Sequence, residues 1–228
     1  SVTIEGARHH MNHSKTLEEL FHHHAAARKA QEQLFADGKK GDLIDALGRA
    51  MDENLGKDAN EARARLEVLA GLLGLVSDER AVTKLLTLLG HDDSDIRAAA
   101  AESLAELAEE DFRRFAKPVR AWLRNAKSFG HEPGELAYLI SEVDLPDVAD
   151  ILELMLSHSS TTVVVAGLEI CGEWAWHKKI DDKLEELASD NREVKLMDEE
   201  GDEVTVTIGE LVAELREAID AVAEDDRR

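Results

Sequence analysis

The sequence predicts an all-α fold, a solenoid of stacked helical hairpins that carries one β-hairpin near its C-terminus. Proline occurs only three times in 228 residues, so few positions interrupt a helix. Apolar residues recur at helical spacing along most of the chain, whereas strand-type alternation is confined to one segment. Alternate helix starts are spaced by about 31 to 36 residues, the range of paired-helix repeat arrays.

Three helices are predicted before the regular repeat begins. The first covers residues 15–36 and stops at Asp37-Gly38, because glycine commonly ends a helix. The second and third cover residues 42–55 and 60–76. We therefore divide the chain into residues 1–41, a histidine-rich segment with the first helix, and residues 42–228, the solenoid.

The repeat itself is visible when the sequence is shifted by 67 residues, or two periods. Residues 85–107 then lie over residues 152–174, and His91 coincides with His158 at the turn between two helices. An Asp or Thr is expected to cap the second helix, whose small residues let it approach its neighbours. The predicted helix starts are near Glu79, Ser94, Glu110, Pro133, Pro146, Thr161, Lys178 and Gly209.

The segment HDDSDIRAAAAESLAEL at residues 91–107 resembles the HEAT-repeat family, including its short bacterial forms. Asp95-Ile96-Arg97 enters the second helix, and an alanine-rich run with Leu104 and Leu107 follows. Pro118 fits the mid-helix proline of that family's first helices. The resemblance covers residues 79–190, although Val164 stands where the aligned repeat has Arg97. It implies a right-handed α-solenoid that binds other macromolecules, and it implies no particular reaction.

One segment breaks the helical pattern. Residues 193–197 and 203–208 alternate apolar and polar side chains around an acidic, glycine-containing turn. This is the signature of a β-hairpin, predicted at about 193–208 within the last repeat. Since an isolated hairpin is marginal in water, we expect it to lean on a neighbouring helix. It is interpreted either as a cap of the solenoid or as a contact element.

The charge is unevenly distributed. The net charge is −22, and residues 77–228 carry −20 of it. Such a chain lacks the basic face that nucleic-acid binding needs, and anionic lipid would repel it. Residues 112–127 hold six basic groups and no acid, whereas residues 128–177 hold nine acids and no Lys or Arg. We expect an acidic region beside a basic ridge, with neither nucleic acid nor membrane as a direct partner.

No catalytic or metal site is predicted. His9 and His13 would share one face of a helix, but no Cys or carboxylate nearby completes a ligand set. His91 and His158 occupy equivalent turns, which repeat structure explains better than catalysis. Cys171 falls in an apolar helix and is interpreted as a small buried hydrophobe. Since no nucleophile elbow, phosphate loop or dinucleotide fingerprint occurs, we expect no cofactor and no enzyme activity.

Glutamates recur on the side of the second helices that faces away from the core. In the 94–109 helix, Ile96, Ala100 and Leu104 make the buried side, so the opposite side faces solvent. Since second helices of HEAT-like arrays line the concave face, the resemblance implies a ladder of acids there. Trp176 adds an aromatic, and aromatics are frequent binding hot spots. The candidate partner-binding residues are Glu102, Glu106, Glu135, Glu142, Glu169, Glu173, Trp176, Glu210 and Glu214.

These features favour a non-catalytic binding solenoid whose acidic concave face captures a basic protein partner. An immunity protein that neutralises a cationic toxin domain would suit this size and charge. The alternatives are a general scaffold or regulatory adaptor, and an enzyme of the HEAT-like bilin-lyase kind. One cysteine, no signal peptide and no membrane-spanning run favour a cytoplasmic location, and a monomer is favoured over an oligomer.

Overall fold

The computed structural model describes residues 2–37, 39–57, 59–126, 129–141, 148–172, 177–197 and 201–225. The chain divides into two compact units, Ser1–Ala46 and Leu47–Arg228. The first unit holds α1 (Val2–Asp37), and α2 (Lys40–Asn54) crosses the division. Helix α1 ends where predicted but begins well before residue 15, and its described side chains, residues 15–36, are almost all exposed.

The second unit continues with nine helices and two strands in the described residues. Every helix from α3 onward starts within three residues of its predicted start, because caps and apolar periodicity are local signals. The elements are α3 (Asn60–Gly74), α4 (Glu79–Leu89), α5 (Ser94–Glu110), α6 (Phe112–Asn125), α7 (Glu132–Ser141), α8 (Val148–Leu156), α9 (Thr161–Cys171), α10 (Lys178–Leu187), β1 (Glu193–Met197), β2 (Glu203–Thr207) and α11 (Ile208–Asp225).

These helices form two layers. The odd layer consists of α3, α5, α7, α9 and α11, each in contact with the next. The even layer consists of α4, α6, α8 and α10, which contact one another in the same way. The hairpins α4–α5, α8–α9 and α10–α11 join the layers, and apolar side chains such as Leu85, Leu104 and Leu152 are fully buried. The predicted all-α solenoid of helical hairpins is confirmed.

Aspartates define where three successive helices start. The side chains of Asp78, Asp93 and Asp111 accept hydrogen bonds from backbone N–H groups in the first turns of α4, α5 and α6. Each aspartate satisfies an N–H group that the helix itself leaves without a partner. The Asp cap predicted for the second helix of the repeat is confirmed at Asp93.

The β-hairpin is confirmed. Strands β1 and β2 pair antiparallel, with Val194 opposite Val206 and Leu196 opposite Val204. The turn includes Gly201 at φ 87°, a left-handed conformation that glycine adopts without strain. Strand β1 contacts α9 and strand β2 contacts α11, so the hairpin leans on the odd layer as expected.

Candidate protein-binding face

The exposed glutamates of the odd layer form the candidate site. On α5, Ile96, Ala100 and Leu104 are fully buried, which places Glu102, Glu106 and Glu109 on the solvent side. Residues 102 and 106 are one turn apart, and 106 and 109 are slightly less, so the three carboxylates follow one stripe. None of the three forms an ion pair within the described part of the chain.

Two further odd-layer helices extend this stripe. Glu169 on α9 and Glu214 on α11 are exposed, and no described residue forms an ion pair with either. Neighbouring packed helices lie about 8–10 Å apart. Helix α9 is therefore two spacings from α5, and α11 is one spacing beyond α9. We call Glu102, Glu106, Glu109, Glu169 and Glu214 the acidic face.

Glu135, a predicted member, has a different environment. Its Oε1 accepts a hydrogen bond from Nε of Arg97 at 3.0 Å, and this ion pair joins α7 to α5. The Arg97 side chain is only 16% exposed. The charge of Glu135 is therefore largely offset by Arg97, and its first role is to connect two helices.

Glu210 also has a structural role. Its Oε2 accepts from the Thr207 backbone N–H at 2.7 Å and from the Thr207 hydroxyl at 2.9 Å, while Glu210 N–H donates to Thr207 Oγ1. This reciprocal arrangement is a capping box at the start of α11. The backbone hydrogen bond from Thr207 lowers the pKa of Glu210, and the hydroxyl contributes in the same direction. The Thr-x-x-Glu spacing in the sequence is the signal that would have predicted it.

The remaining candidates fall outside the described residues. These are Glu142, Glu173 and Trp176. Sequence reasoning missed Tyr138, which is 68% exposed on α7, between α5 and α9 in the odd layer. Its neighbours Leu136, Ala137 and Leu139 are buried, so Tyr138 is held on the solvent side of a packed helix. Tyrosine is enriched in binding hot spots. Tyr138 lies on α7, which packs between the helices that carry Glu106 and Glu169.

A cavity of about 530 Å³ adjoins the acidic face. It lies between the start of α7, helix α9 and strand β1. Its walls include Glu169 and Glu193, the apolar residues Val165 and Leu196, and Lys195, whose ammonium group is paired with Glu203 at 2.7 Å. A concave surface with apolar walls and two carboxylates can accommodate a side chain that has an aliphatic stem and a cationic end.

The positive charges lie mainly in the other layer. Arg97 and Arg216 are the cations of α5, α7, α9 and α11, and each is in an ion pair, with Glu135 and Asp181 respectively. The even layer carries Arg80 and Lys84 on α4, five basic residues on α6, and three lysines on α10. The excess positive charge of the even layer lies on α6, since α10 also carries four acids, and the acidic face has no cation of its own to neutralise it.

The turn histidines have structural partners. His91 Nδ1 accepts from the Asp93 N–H at 3.0 Å, and His158 Nδ1 accepts from the Ser160 N–H at 2.9 Å. An Nδ1 that accepts leaves the proton on Nε2, so His158 Nε2 donates to the Leu123 carbonyl at 3.0 Å. These bonds fix the turns before α5 and α9, in agreement with the repeat interpretation.

Cys171 is fully buried, as predicted, and burial raises its pKa to about 12. The thiolate is the nucleophilic form, so this thiol is unreactive at neutral pH. The described residues contain no group of three or more His, Cys, Asp or Glu side chains arranged to hold a metal ion. The side chains of His9 and His13 lie outside that description.

Comparison with known proteins identifies one repeat. Residues 81–110 match the HEAT repeat family model, and this segment spans α4 and α5. The predicted HEAT-like resemblance is thereby confirmed on the segment that carried it. No curated protein matches the chain.

Two solved structures are similar to this chain at low identity. One is a computationally designed armadillo repeat protein for modular peptide recognition, with 15% identity, 85% of this chain and 92% of that chain covered, and a TM-score of 0.34. The other is a designed armadillo repeat protein in complex with the peptide (KR)4, with 14% identity, 86% and 92% coverage, and a TM-score of 0.34. Separately, none of the described helices is both long and apolar enough to cross a membrane.

Proposed function

We propose that this HEAT-like repeat protein is a non-catalytic binding protein whose acidic face captures a basic protein partner. The observation that supports it is the unneutralised row of glutamates across α5, α9 and α11, where the two cations, Arg97 and Arg216, are already in ion pairs. Exposed carboxylates without partners create a negative potential that steers cationic proteins toward this surface and disfavours others.

Tyr138 supplies the contact that charge alone does not. Rim charges govern association rate and selectivity, whereas affinity depends on a few desolvated anchors near the centre of an interface. Tyr138 lies on α7, and α7 packs between the helices that carry Glu106 and Glu169. We place it as the anchor of the interface and the glutamates as its rim.

The finer form of the proposal is an immunity protein that occludes a toxin domain. A toxin domain that reaches nucleic acid must itself be basic, and an acidic face of this kind would cover the cationic surface that it needs. The location in this proposal is the cytoplasm, where such a toxin would act.

Charge reversal tests the proposal. The probe is a fluorescein-labelled octalysine peptide, and the variant is Glu102→Lys/Glu106→Lys/Glu169→Lys. We expect its affinity to fall by about thirtyfold, since three exposed charge contacts contribute about 0.2–1 kcal/mol each and reversal adds repulsion. Glu53→Lys/Asp182→Lys/Glu185→Lys has the same net charge but alters exposed acids on α2 and α10. Equal losses in the two variants would contradict a localised site.

Affinity capture then tests the partner class. The unaltered chain and the Tyr138→Ala variant are used as baits in lysate of the source cells, and the retained proteins are identified by mass spectrometry. We expect a basic protein that the unaltered chain retains and the variant loses. A partner with toxic activity that the chain suppresses supports the immunity role, and a partner retained equally by both baits contradicts the assignment of Tyr138.

A scaffold or adaptor is the second candidate, and one observation favours it. Val68 on α3 and Leu75, the C-cap residue of that helix, are 63% and 53% exposed, and their seven-residue spacing places them on the same side. An apolar strip of this kind is typical of a contact made by burial of surface rather than by charge. In that case Val68→Ser/Leu75→Ser abolishes partner capture, and the charge reversals leave it unchanged.

A further inference from the structure

A stripe of arginines on α6 has no part in the acidic face. Arg113, Arg120 and Arg124 follow one side of the helix, with rises of about 10 Å and about 6 Å between them. Within the described residues none of the three forms an ion pair. The other two cations of α6 are engaged, because Lys117 pairs with Glu79 at 2.8 Å and Arg114 pairs with Asp111 at 3.2 Å.

The three arginines line one wall of a groove in the even layer. The groove has a volume of about 660 Å³, and its opposite wall consists of Asp150, Glu153 and Leu154 of α8 together with Ser157, which follows that helix. Both carboxylates of that wall contact Lys179 of α10, Asp150 at 2.9 Å and Glu153 at 3.5 Å. Lys179 offsets one of these two negative charges, so the groove holds three positive charges against one net negative charge.

Three arginines in one groove that form no ion pairs there are suited to bind carboxylates. The guanidinium group presents a planar fork of N–H donors that binds a carboxylate through two parallel hydrogen bonds. The net charge of −22 does not prevent this, because at physiological salt charges beyond about 8 Å are largely screened. The local arginines thus determine what the groove attracts.

We propose that this arginine groove binds an extended acidic peptide segment of a second protein partner. An extended chain advances about 3.3 Å per residue and alternate side chains share one side, so acids at the first, fifth and seventh positions lie about 13 Å and about 7 Å apart on that side. These spacings agree with the rises between the three arginines to within about 3 Å, which the long arginine side chains accommodate. The carboxylates face α6, and the uncharged residues at even positions face α8. Nucleic acid fits less well, since its continuous phosphate charge would also lie against Asp150 and Glu153.

The groove and the acidic face are on different layers, so this inference does not depend on the function proposed above. A protein with both surfaces binds a basic and an acidic partner separately, and loss of one surface leaves the other intact. The octalysine affinity of the arginine variants below therefore stays within about twofold of the unaltered chain.

Fluorescence anisotropy with a fluorescein-labelled seven-residue peptide tests the groove. Its glutamates are at positions one, five and seven, with glycine and serine elsewhere, and its control has glutamine at those positions. The variant is Arg113→Gln/Arg120→Gln/Arg124→Gln, which keeps the aliphatic stems. Its matched control, Arg49→Gln/Arg65→Gln/Lys178→Gln, removes the same net charge from exposed sites on α2, α3 and α10.

We expect the glutamate peptide to bind about tenfold more weakly to the arginine variant and within about twofold of normal to the matched control. Should the triple variant fail to fold by circular dichroism, Arg113→Gln and Arg124→Gln singly are each expected to cost about threefold. Equal losses in the two triple variants overturn the proposal. So does an unaltered chain that binds the glutamate peptide no better than the glutamine peptide, or that binds hexathymidylate more tightly.

Discussion

At the scale of single residues, Arg192 makes the hydrogen bonds that Arg97 makes in the earlier repeat and that Val164, the aligned residue, cannot make. In the α4–α5 turn, Arg97 Nη1 donates to the carbonyls of His91 and Asp92, both at 2.9 Å. The aligned turn between α8 and α9 has Val164 in place of that arginine. There Arg192 Nη1 donates to the carbonyls of His158 and Ser159, at 3.0 and 2.9 Å, from the connection before β1. The two equivalent carbonyls therefore accept the same kind of hydrogen bond, from a residue that lies outside the aligned helices.

Replacing Arg192 by Gln is expected to lower the free energy of unfolding by about 1–2 kcal/mol, since two carbonyls lose a charged donor. The effect depends on pH through Asp190. Hydrogen bonding by Arg192 holds the pKa of Asp190 below its usual 3.8 in the folded chain, so the unfolded chain takes up the proton first. This contribution is present above the unfolded pKa and is lost as the pH falls through the folded one.

Urea unfolding at neutral pH and below pH 4 measures both effects. The gap between the unaltered chain and Arg192→Gln should narrow at the lower pH. The control is Lys195→Gln, which removes an exposed ion pair with Glu203 at 2.7 Å and is expected to change stability by less than 0.5 kcal/mol. A gap that widens as the pH falls would show that the Asp190 carboxylate is not what Arg192 stabilises.

The sequence could predict the interactions that are local and not those that come from distant segments. Asp93 as a cap and the burial of Cys171 follow from neighbours along one helix. Arg192 at the 158–159 turn and Arg97 at Glu135 join segments more than thirty residues apart, and no periodicity in the sequence specifies such a pair. For this reason Glu135 was predicted as a free member of the acidic face.

At the scale of elements, the approach of α3 to α5 depends on a small residue that faces a polar one. A Cβ added at Gly74 would lie 2.8 Å from Cβ of Ser103 and 3.2 Å from its Cα. Ser103 is buried, and its hydroxyl donates to the Ala70 carbonyl at 3.1 Å. The contact therefore involves the α5 backbone and a buried hydrogen bond. Moving either helix to make room for a larger side chain would weaken that hydrogen bond or the packing around it.

Gly74→Ala is accordingly expected to destabilise the chain by about 1–3 kcal/mol, as overpacking of a close contact does. Gly71→Ala on the same helix has nothing within 4 Å of the added Cβ, and should stabilise by about 0.5–1 kcal/mol because alanine favours the helix. Urea denaturation of both variants gives the comparison. Shifts of the same sign in the two variants would mean that the α3–α5 approach does not limit packing.

The element scale also separates two kinds of acid on α11. Glu210 completes the capping box with Thr207, whereas Glu214, one turn further on, has no described partner. The sequence predicts both on the same side of α11, because helical spacing shows which side of a helix a residue occupies but does not show its hydrogen-bond partners. Because Glu210 caps the start of α11, replacing it is expected to lower the stability of the fold. Such a variant therefore cannot be used by itself to measure a role of Glu210 in binding.

At the scale of the Leu47–Arg228 unit, the two layers separate charged segments that are adjacent in the sequence. Along the sequence, basic residues 112–127 are followed by the acidic stretch 128–177, which suggested neighbouring regions. In the structure consecutive helices alternate between layers, so the five basic residues of α6 lie on the even layer and the acidic face lies on the odd layer. The two proposals above accordingly assign the basic partner to the odd layer and the acidic peptide to the even layer.

This segregation predicts how stability responds to salt. Unpaired glutamates repel one another most when the fold holds them on one face, and salt screens repulsion between exposed charges. We expect the unfolding midpoint to rise between about 10 and 150 mM NaCl, by about 2–4 °C for each kcal/mol of repulsion removed. Scanning calorimetry measures this midpoint.

The variant Glu102→Gln/Glu106→Gln/Glu109→Gln should have a higher unfolding midpoint at low salt, and its midpoint should rise less when salt is added. The control Glu53→Gln/Asp182→Gln/Glu185→Gln removes the same charge elsewhere and should keep most of the salt response. If the control loses the response equally, net charge is responsible and not the acidic face.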